Sequence, residues 1–341
     1  MVYRRAGIAV SVSAFILACS VGCAPTDMSE PEQKISPAEA EVVAADTVFR
    51  IGSNTKTLTG TLILQLVDEG KIHLGDPVSK YWADVPGGDQ ITIEMLLSMR
   101  SGLFNYTDDE AMGAAMVADL ERVWQPEELL EVSFRHAPLF APGTEYSYSN
   151  TNTVLLSLIA EKLTGESYQS LIADRLTSPL GLTHTSIPDA YDVSLTAPFS
   201  HGYTFFDAAD LETQPVDVTF MNPSWSGAAG AGVSTASELA DWVEALTSGA
   251  LLSEQLQAQR MESVVSIPSA PDPEKFGYGM GIAKLQGLYG HNRQLPGFNS
   301  FMGSDPTSGL TVIIWANVAP LADGNGPANL LAGTVVPMLL D

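Results

Sequence analysis

The chain has 341 residues, of which 45% are hydrophobic, enough for one large domain or two lobes with a substantial core. With 16 basic residues against 40 acidic residues its net charge is −24, which argues against nucleic acid and anionic lipid surfaces as partners. Cysteine occurs only at Cys19 and Cys23, so the folded part carries neither a disulfide framework nor a cysteine nucleophile. The histidines show no metal-ligand spacing, and we expect no metal and no cofactor.

The N-terminal residues have the pattern of an export signal. Arg4 and Arg5 precede an apolar stretch over 6–18 that is too short for a convincing membrane span. Each of the two cysteines ends a segment that resembles a lipoprotein cleavage site, and an ordinary secretory signal is the alternative. We therefore predict a signal over 1–22 and a polar tether over 23–46. The protein would lie in the cell envelope, lipid-anchored on the outer face of the cytoplasmic membrane, or be secreted.

The segment Ser53-Asn54-Thr55-Lys56 is followed by apolar residues at helical spacing, and Gly70 stands where that helix would end. Residues three apart share a helix face, so the serine hydroxyl and the lysine amine would point into one cleft. Backbone N–H groups of the first helical turn would stabilise an oxyanion there. The pattern predicts a serine nucleophile with a lysine base. The alternative is a helix-capping serine beside a surface lysine.

A second segment, Tyr148-Ser149-Asn150, precedes another helical pattern. Tyr148 and Asn150 would alternate onto one side of an extended chain. A tyrosine hydroxyl beside a lysine can relay a proton to a leaving group, and an amide side chain can fix the pose of a substrate. Alternatively, Asn150 or Asn152 caps the following helix and Tyr148 belongs to the core.

The C-terminal part predicts a sheet flanked by helices. Thr235 and Glu238 form a capping box for a helix over 239–247. Trp225, just before a glycine-rich run, is a candidate for lining the cleft, although packing at a lobe junction is the commoner role. Three segments read as antiparallel strands and a fourth as a closing helix. These segments are 276–285, 298–303 and 310–317 for the strands, and 329–340 for the helix.

A third segment, His291-Asn292-Arg293-Gln294, falls between two strand-like runs, as a strand edge lining a cleft would. With this segment the chain resembles the serine D,D-peptidases and class C-like β-lactamases, and its pattern is closest to the D-alanyl-D-alanine carboxypeptidases. The signatures of that family are Ser-x-x-Lys, Tyr-x-Asn, and His-x-Gly or Lys-Thr-Gly. The resemblance runs from about Thr47 to the C-terminus.

The resemblance implies a role for each of these residues. Ser53 would attack a carbonyl and form an acyl-enzyme, while Lys56 and Tyr148 would manage its proton. Asn150 would orient the acyl chain. His291 would stand where other members carry lysine, and a structural histidine bonded inside the sheet is the alternative.

Substrate binding would involve Trp225 and the residues after His291. The oxyanion would lie between the backbone N–H groups of Ser53 and Gln294. Asn292 is a further candidate for contact with the substrate. Arg293 departs from the family pattern, because the box has glycine there and glycine lets a substrate approach the strand closely. An arginine could block the cleft or pair with a substrate's terminal carboxylate, and the sequence leaves both outcomes open.

The resemblance implies an α+β fold with two lobes. An α/β lobe with an antiparallel sheet flanked by helices would comprise 47–70 and 227–341, and a mainly α-helical lobe over 71–226 would be inserted into it. Family members place a helix and a two-stranded hairpin before the nucleophile, whereas this chain offers only 25 residues, Ala24 to Val48. We therefore expect these elements to be missing, with an unpaired sheet edge and reduced stability.

The leading functional prediction is a D-alanyl-D-alanine carboxypeptidase that acts on peptidoglycan stem peptides. The alternatives are a β-lactamase or esterase with the same residues, and a non-catalytic penicillin- or peptidoglycan-binding homologue. The expected partner is a peptidoglycan peptide or a β-lactam as a small-molecule substrate. We expect contact with a membrane only through a lipid on Cys19 or Cys23.

Overall fold

The computed structural model describes residues 8–12, 44–206, 215–268, 270–321 and 324–340. Both cysteines and most of the predicted signal and tether lie outside these residues. The strands are β1 (Ile8–Val12), β2 (Phe49–Arg50), β3 (Tyr203–Thr204), β4 (Val216–Asp217), β5 (Val233–Ser234), β6 (Val265–Ser266), β7 (Gly277–Gly279), β8 (Ile282–Leu285), β9 (Leu288–Leu295), β10 (Phe298–Ser304) and β11 (Thr311–Ala316). The α-helices are α1 (Thr55–Asp68), α2 (Ile93–Leu97), α3 (Glu110–Ala118), α4 (Pro126–Phe134), α5 (Asn150–Thr164), α6 (Tyr168–Ile172), α7 (Ala236–Ser248), α8 (Glu254–Glu262) and α9 (Pro327–Leu340).

One sheet organises the C-terminal half, with strand order β1-β11-β10-β9-β8-β7-β6. Val312 and Ile314 of β11 pack in an apolar cluster with residues of α9, whereas Ile313 and Trp315 pack in the main core with residues of α1 and α7. Successive side chains of a strand point to opposite faces. The sheet therefore lies between α9 on one face and α1 with α7 on the other, which is the predicted α+β arrangement.

Helix α1 passes through the middle of the protein, and residues 55–64 are all buried. A Cβ built on Gly60 would lie 2.8 Å from Cα of Gly281, so a glycine at this position lets the helix approach the turn between β7 and β8. Trp242 of α7 donates its indole N–H to Oγ1 of Thr57 at 2.8 Å. These contacts fix the helix against the sheet, and with it the position of the nucleophile at its N-terminus.

Three predicted helices are confirmed. The helix after the Ser53 segment ends at Asp68, two residues before the predicted stop at Gly70. Helix α7 includes the predicted range 239–247, and Oγ1 of Thr235 accepts the capping bond from the N–H of Glu238. Helix α9 includes the predicted closing helix.

The strand predicted over 276–285 is in fact two strands. β7 and β8 form an antiparallel pair joined at Met280 and Gly281. Gly281 has a φ of +64°, in the left-handed region that glycine adopts without steric cost, and this allows the chain to reverse. The alternation of apolar residues continues across the turn, so the sequence pattern did not show the break.

The prediction of an unpaired sheet edge is wrong for the full chain, because the edge beside β11 is paired. β1 pairs in parallel with β11, with Ile8 opposite Val312. This strand comes from the segment predicted to be an export signal. Its β-branched and small residues are compatible with a strand, and the free edge of β11 offers unpaired N–H and C=O groups to it.

Candidate active site

The turn that carries Ser53 is held directly over the sheet. Gly52, with φ of +54°, opens a 3-10 turn, Gly52–Asn54, that leads into α1. The side-chain amide of Asn54 donates to Oγ of Ser300 on β10 at 2.9 Å, and that hydroxyl donates to the carbonyl of Ile51 at 3.1 Å. The turn at Gly52 and the hydrogen bonds through Asn54 and Ser300 thus give the nucleophile a rigid position.

The Ser53 hydroxyl lies between the other two predicted proton carriers. Its Oγ is 2.8 Å from Nζ of Lys56 and accepts a hydrogen bond from the Tyr148 hydroxyl at 2.8 Å. Ser53 is only 1% exposed. The three side chains come from α1 and from the segment before α5, and the structure brings them together as the sequence predicted.

Lys56 is arranged to act as a base. Besides Ser53, its Nζ contacts Oδ1 of Asn150 at 2.6 Å and the carbonyl oxygen of Ala229 at 2.7 Å. A neutral amine has two N–H donors and one lone pair, so two carbonyl oxygens can take both donors and leave the lone pair directed at the serine hydroxyl. Burial, and then the positive charge of Arg293, hold the pKa of Lys56 well below its usual value. Lys56 can therefore accept the serine proton.

Tyr148 is arranged to act as an acid. Burial raises the pKa of its phenol, and this outweighs the opposing effects of Arg293 and of the hydrogen bond with Ser53. The phenol therefore keeps its proton at neutral pH. With a base on one side of Oγ and an acid on the other, the cluster can take a proton from the nucleophile and give one to a leaving group.

Asn150 supports Lys56 rather than capping its helix. It is the first residue of α5, the N-cap is Ser149, and no side-chain capping bond is present there. Its Nδ2 donates to Oγ1 of Thr107 at 3.1 Å, and its backbone N–H donates to Oδ1 of Asn105 at 3.0 Å. Nδ2 carries two N–H donors and Thr107 takes one of them, so the side chain retains one N–H donor for a substrate.

His291 lies at the cleft, but its nitrogens are bonded within the sheet. Its Nδ1 is 2.7 Å from the carbonyl oxygen of Asn292, and its Nε2 is 3.4 Å from the hydroxyl of Tyr278. Burial, and then the charge of Lys56, lower the pKa of His291 to about 3, so the imidazole is neutral. Among the described residues no hydrogen bond joins it to Ser53, and its ring packs 6.0 Å from that of Tyr148. This geometry agrees with the structural alternative more than with a catalytic histidine.

Successive side chains of β9 point to opposite faces of the sheet, so the other candidates of the third segment do not all face the cleft. Asn292 donates to Oδ1 of Asn329 on α9 at 2.9 Å, so its side chain points away from the cleft and the prediction that it binds substrate is contradicted. Gln294 has the same parity, and its predicted role uses only the backbone N–H. A Cβ built on Gly52 would lie 3.2 Å from Cγ of Leu295. This end of β9 therefore lies beside the turn that carries Ser53.

Trp225 does not line the cleft as a free aromatic surface. It lies in the 3-10 turn Pro223–Trp225, is 7% exposed and belongs to the main hydrophobic core. The packing role that the sequence favoured is the one the structure gives.

Four groups of the site were missed by the sequence reasoning. The carbonyl of Ala229 could have been suspected, because it lies in the glycine-rich run 227–230, where a backbone can approach closely. Asn105 and Thr107 belong to none of the segments that the sequence analysis singled out. Tyr278 carries no local signal.

Neither a metal site nor a spanning helix is found in the parts of the chain that the structure describes. No group of three or more histidine, cysteine, aspartate or glutamate side chains is placed there to hold a metal ion. None of the helices in those parts is long and apolar enough to cross a membrane.

Comparisons with known proteins agree with this geometry. The family model for Beta-lactamase matches residues 33–334. Protein PbpX of Bacillus subtilis strain 168, whose name assigns it provisionally to the penicillin-binding proteins, is 29% identical over 271 residues. That match covers 79% of this chain and 61% of PbpX, so the chain spans less than two thirds of the length of this relative.

Two solved structures of hydrolases are also similar. A D-stereospecific amidohydrolase from Streptomyces sp. is 33% identical, with a TM-score of 0.74 over 80% of this chain and 83% of that one. A D-amino acid amidase from Ochrobactrum anthropi SV3 is 26% identical, with a TM-score of 0.76 over 87% of this chain and 85% of that one. Given the Ser53, Lys56 and Tyr148 cluster and a family match over most of its length, the chain belongs to the beta-lactamase family of serine hydrolases.

Proposed function

We propose that this serine hydrolase is a D-alanyl-D-alanine carboxypeptidase that acts on peptidoglycan stem peptides. The observation that carries the proposal is the position of the Ser53 hydroxyl, 2.8 Å from a lysine of lowered pKa and 2.8 Å from a protonated tyrosine. The similarity to two hydrolases named for D-configured substrates supports a D-residue at the scissile bond. The similarity to PbpX supports a link to penicillin-binding proteins.

The proposed reaction has two stages. Oγ of Ser53 forms a bond to the substrate carbonyl carbon as its proton passes to Lys56. The amide C–N bond then breaks, and Tyr148 protonates the departing nitrogen of the terminal D-alanine and recovers a proton from Lys56. A water molecule adds to the acyl-enzyme, its proton returns to Ser53, and the shortened peptide leaves with a free carboxylate.

A second candidate is the hydrolysis of D-amino acid amides. The similarity to the D-amino acid amidase favours it, and the same acyl-enzyme chemistry would release ammonia instead of D-alanine. β-Lactam or ester hydrolysis would use the same residues, and a non-catalytic binding protein would use the cleft without turnover.

Mass spectrometry of the intact protein separates these functions. After exposure to benzylpenicillin, we expect a stable one-to-one adduct on the peptide that contains Ser53, and none on a Ser53→Ala variant. Release of D-alanine from N-acetyl-D-alanyl-D-alanine should accompany it. Rapid loss of the drug without an adduct would instead indicate a β-lactamase. If the only reaction were release of ammonia from D-phenylalanine amide, the protein would be an amidase. If it reacted with no acyl donor, it would be a binding protein.

We also propose that the protein is exported and anchored by a lipid on Cys19 or Cys23. Cleavage before that cysteine would remove β1, so the edge of β11 would be paired in the full chain and exposed in the mature protein. The charged start, the apolar stretch and the two cleavage-like segments support this location. Radiolabelled palmitate should be incorporated into the full chain and lost from only one of the variants Cys19→Ser and Cys23→Ser. Incorporation into neither the full chain nor either variant would contradict the anchor.

A further inference from the structure

Arg293 extends across the turn that carries the nucleophile. It follows His291 by two residues on β9, and so lies on the same face of the strand. A Cβ built on Gly52 would lie 2.9 Å from Cγ and 3.0 Å from Cβ of Arg293, so a glycine at position 52 leaves room for the arginine side chain. The guanidinium carbon lies 5.8 Å from the centroid of the Tyr148 ring. The arginine therefore reaches the side of the cleft where Tyr148 would protonate a leaving group.

In the part of the chain that the structure describes, no acidic side chain balances the charge of this guanidinium. Among the described residues, no ion pair includes Arg293. His291 is neutral, so the cationic groups of the cleft are Arg293 and, when protonated, Lys56. Burial is the main cause of the lowered pKa of Lys56 and of His291, and nearby cations add to it. No carboxylate acts on either group to raise its pKa. A cleft with a fixed positive charge thus lies in a protein whose net charge is −24.

We propose that Arg293 binds a carboxylate on the leaving group, so that the site selects acyl donors whose leaving group is anionic. This inference rests on the proposed acyl transfer at Ser53. A guanidinium presents a planar fork of donors that matches both oxygens of a carboxylate. In a departing D-alanine the carboxylate carbon is two bonds, about 2.5 Å, from the nitrogen that is protonated. A nitrogen beside the Tyr148 hydroxyl would therefore carry its carboxylate into the range of Arg293.

The same charge disfavours substrates that bring a cation into the cleft. The free amide of an amino acid carries an α-ammonium group. Among the described residues around the cluster it would meet the fixed charge of Arg293 and no balancing carboxylate. The proposal therefore separates this protein from an amidase of free D-amino acid amides, despite the similarity of the folds. It also opposes the second reading of Arg293, in which the side chain merely obstructs the cleft.

The test uses two peptides that differ only in the terminal charge, N-acetyl-D-alanyl-D-alanine and its C-terminal amide. Both contain the same scissile bond. In the full protein we expect kcat/KM to favour the carboxylate peptide by about 10- to 100-fold, the range of a charge-assisted bidentate contact. Arg293→Gln should abolish the preference and Arg293→Lys should retain part of it. Arg135→Gln, which removes an exposed arginine at the end of α4, should leave the preference unchanged.

A binding measurement keeps this test independent of turnover. The two peptides are titrated calorimetrically into Ser53→Ala and into the double variant Ser53→Ala with Arg293→Gln. Tighter binding of the carboxylate peptide in the first protein only would support the inference. Equal affinities in the first protein, or faster hydrolysis of both peptides by Arg293→Gly, would overturn it and indicate obstruction. Failure of the proposed function would show separately, as the absence of any acyl-enzyme with benzylpenicillin.

Discussion

Replacing Asn150 with aspartate tests whether Lys56 works as a neutral base. The two side chains have nearly the same shape, so Asn150→Asp places a carboxylate where the amide oxygen now lies, 2.6 Å from Nζ of Lys56. A negative charge at this position stabilises the ammonium form of the lysine. We expect the pKa of Lys56 to rise and the base to become protonated at neutral pH.

The size of the effect follows from the distance between the two groups. A carboxylate shares its charge between two oxygens, so the centre of that charge lies further from Nζ than the contacting oxygen does. Two opposite charges about 4 Å apart interact by about 4 kcal/mol at the effective dielectric constant that suits protein sites. One pKa unit corresponds to about 1.4 kcal/mol, so an interaction of this size raises the pKa of Lys56 strongly. Burial of the new carboxylate offsets part of this gain. We therefore expect kcat/KM at neutral pH to fall by about 100- to 1000-fold.

The assay is the pH dependence of kcat/KM with a neutral chromogenic ester. The acidic limb of the profile reports the group that must lose its proton, and in Asn150→Asp it should move to higher pH, with activity recovering as the pH rises. A misfolded variant would not recover in this way. Asn150→Ala removes the acceptor without adding a charge, and its acidic limb should not move upward. An unchanged acidic limb in folded Asn150→Asp would refute the role of Lys56 as the base.

Two further predictions concern stability. Gly60→Ala should lower the unfolding free energy by about 1–2 kcal/mol in urea denaturation, because its Cβ would lie 2.8 Å from the backbone of Gly281 and this clash exceeds the gain in helix propensity. Gly113→Ala on α3, where a Cβ would meet no atom within 4 Å, should be neutral or stabilising by up to about 1 kcal/mol, and the same sign in both variants would contradict the packing argument. Burial opposes ionisation of Glu238, but hydrogen bonds from Thr185 and His184 outweigh it and lower the pKa of this carboxylate. Its contribution is therefore present above its unfolded pKa near 4.3 and is lost as the pH falls through the folded value. Glu238→Gln should cost about 1–2 kcal/mol at pH 7 and nearly nothing at pH 3, and an equal cost at both values would exclude the charge as the cause.

The sequence alone was sufficient for the catalytic cluster and for the fold class. Ser53 and Lys56 are three residues apart on one helix, and helical geometry by itself places their side chains on the same face. Tyr148 was found because it stands directly before a second helix in a recognisable segment. The alternation of apolar residues likewise predicted the central strands and the closing helix, since a strand or helix buried on one face must repeat with its own period.

Only the tertiary structure decided what each polar side chain of the site contacts. Asn150 binds Lys56 and Asn292 binds α9, although both are asparagines in segments with equally good motifs. Their partners lie far away along the chain, and no local period reports a contact across a cleft. The same reason explains why Arg293 remained ambiguous in the sequence. The identity of the residue is enough to assign its positive charge. Whether a carboxylate lies beside it depends on how distant segments pack around the cleft, and among the described residues none does.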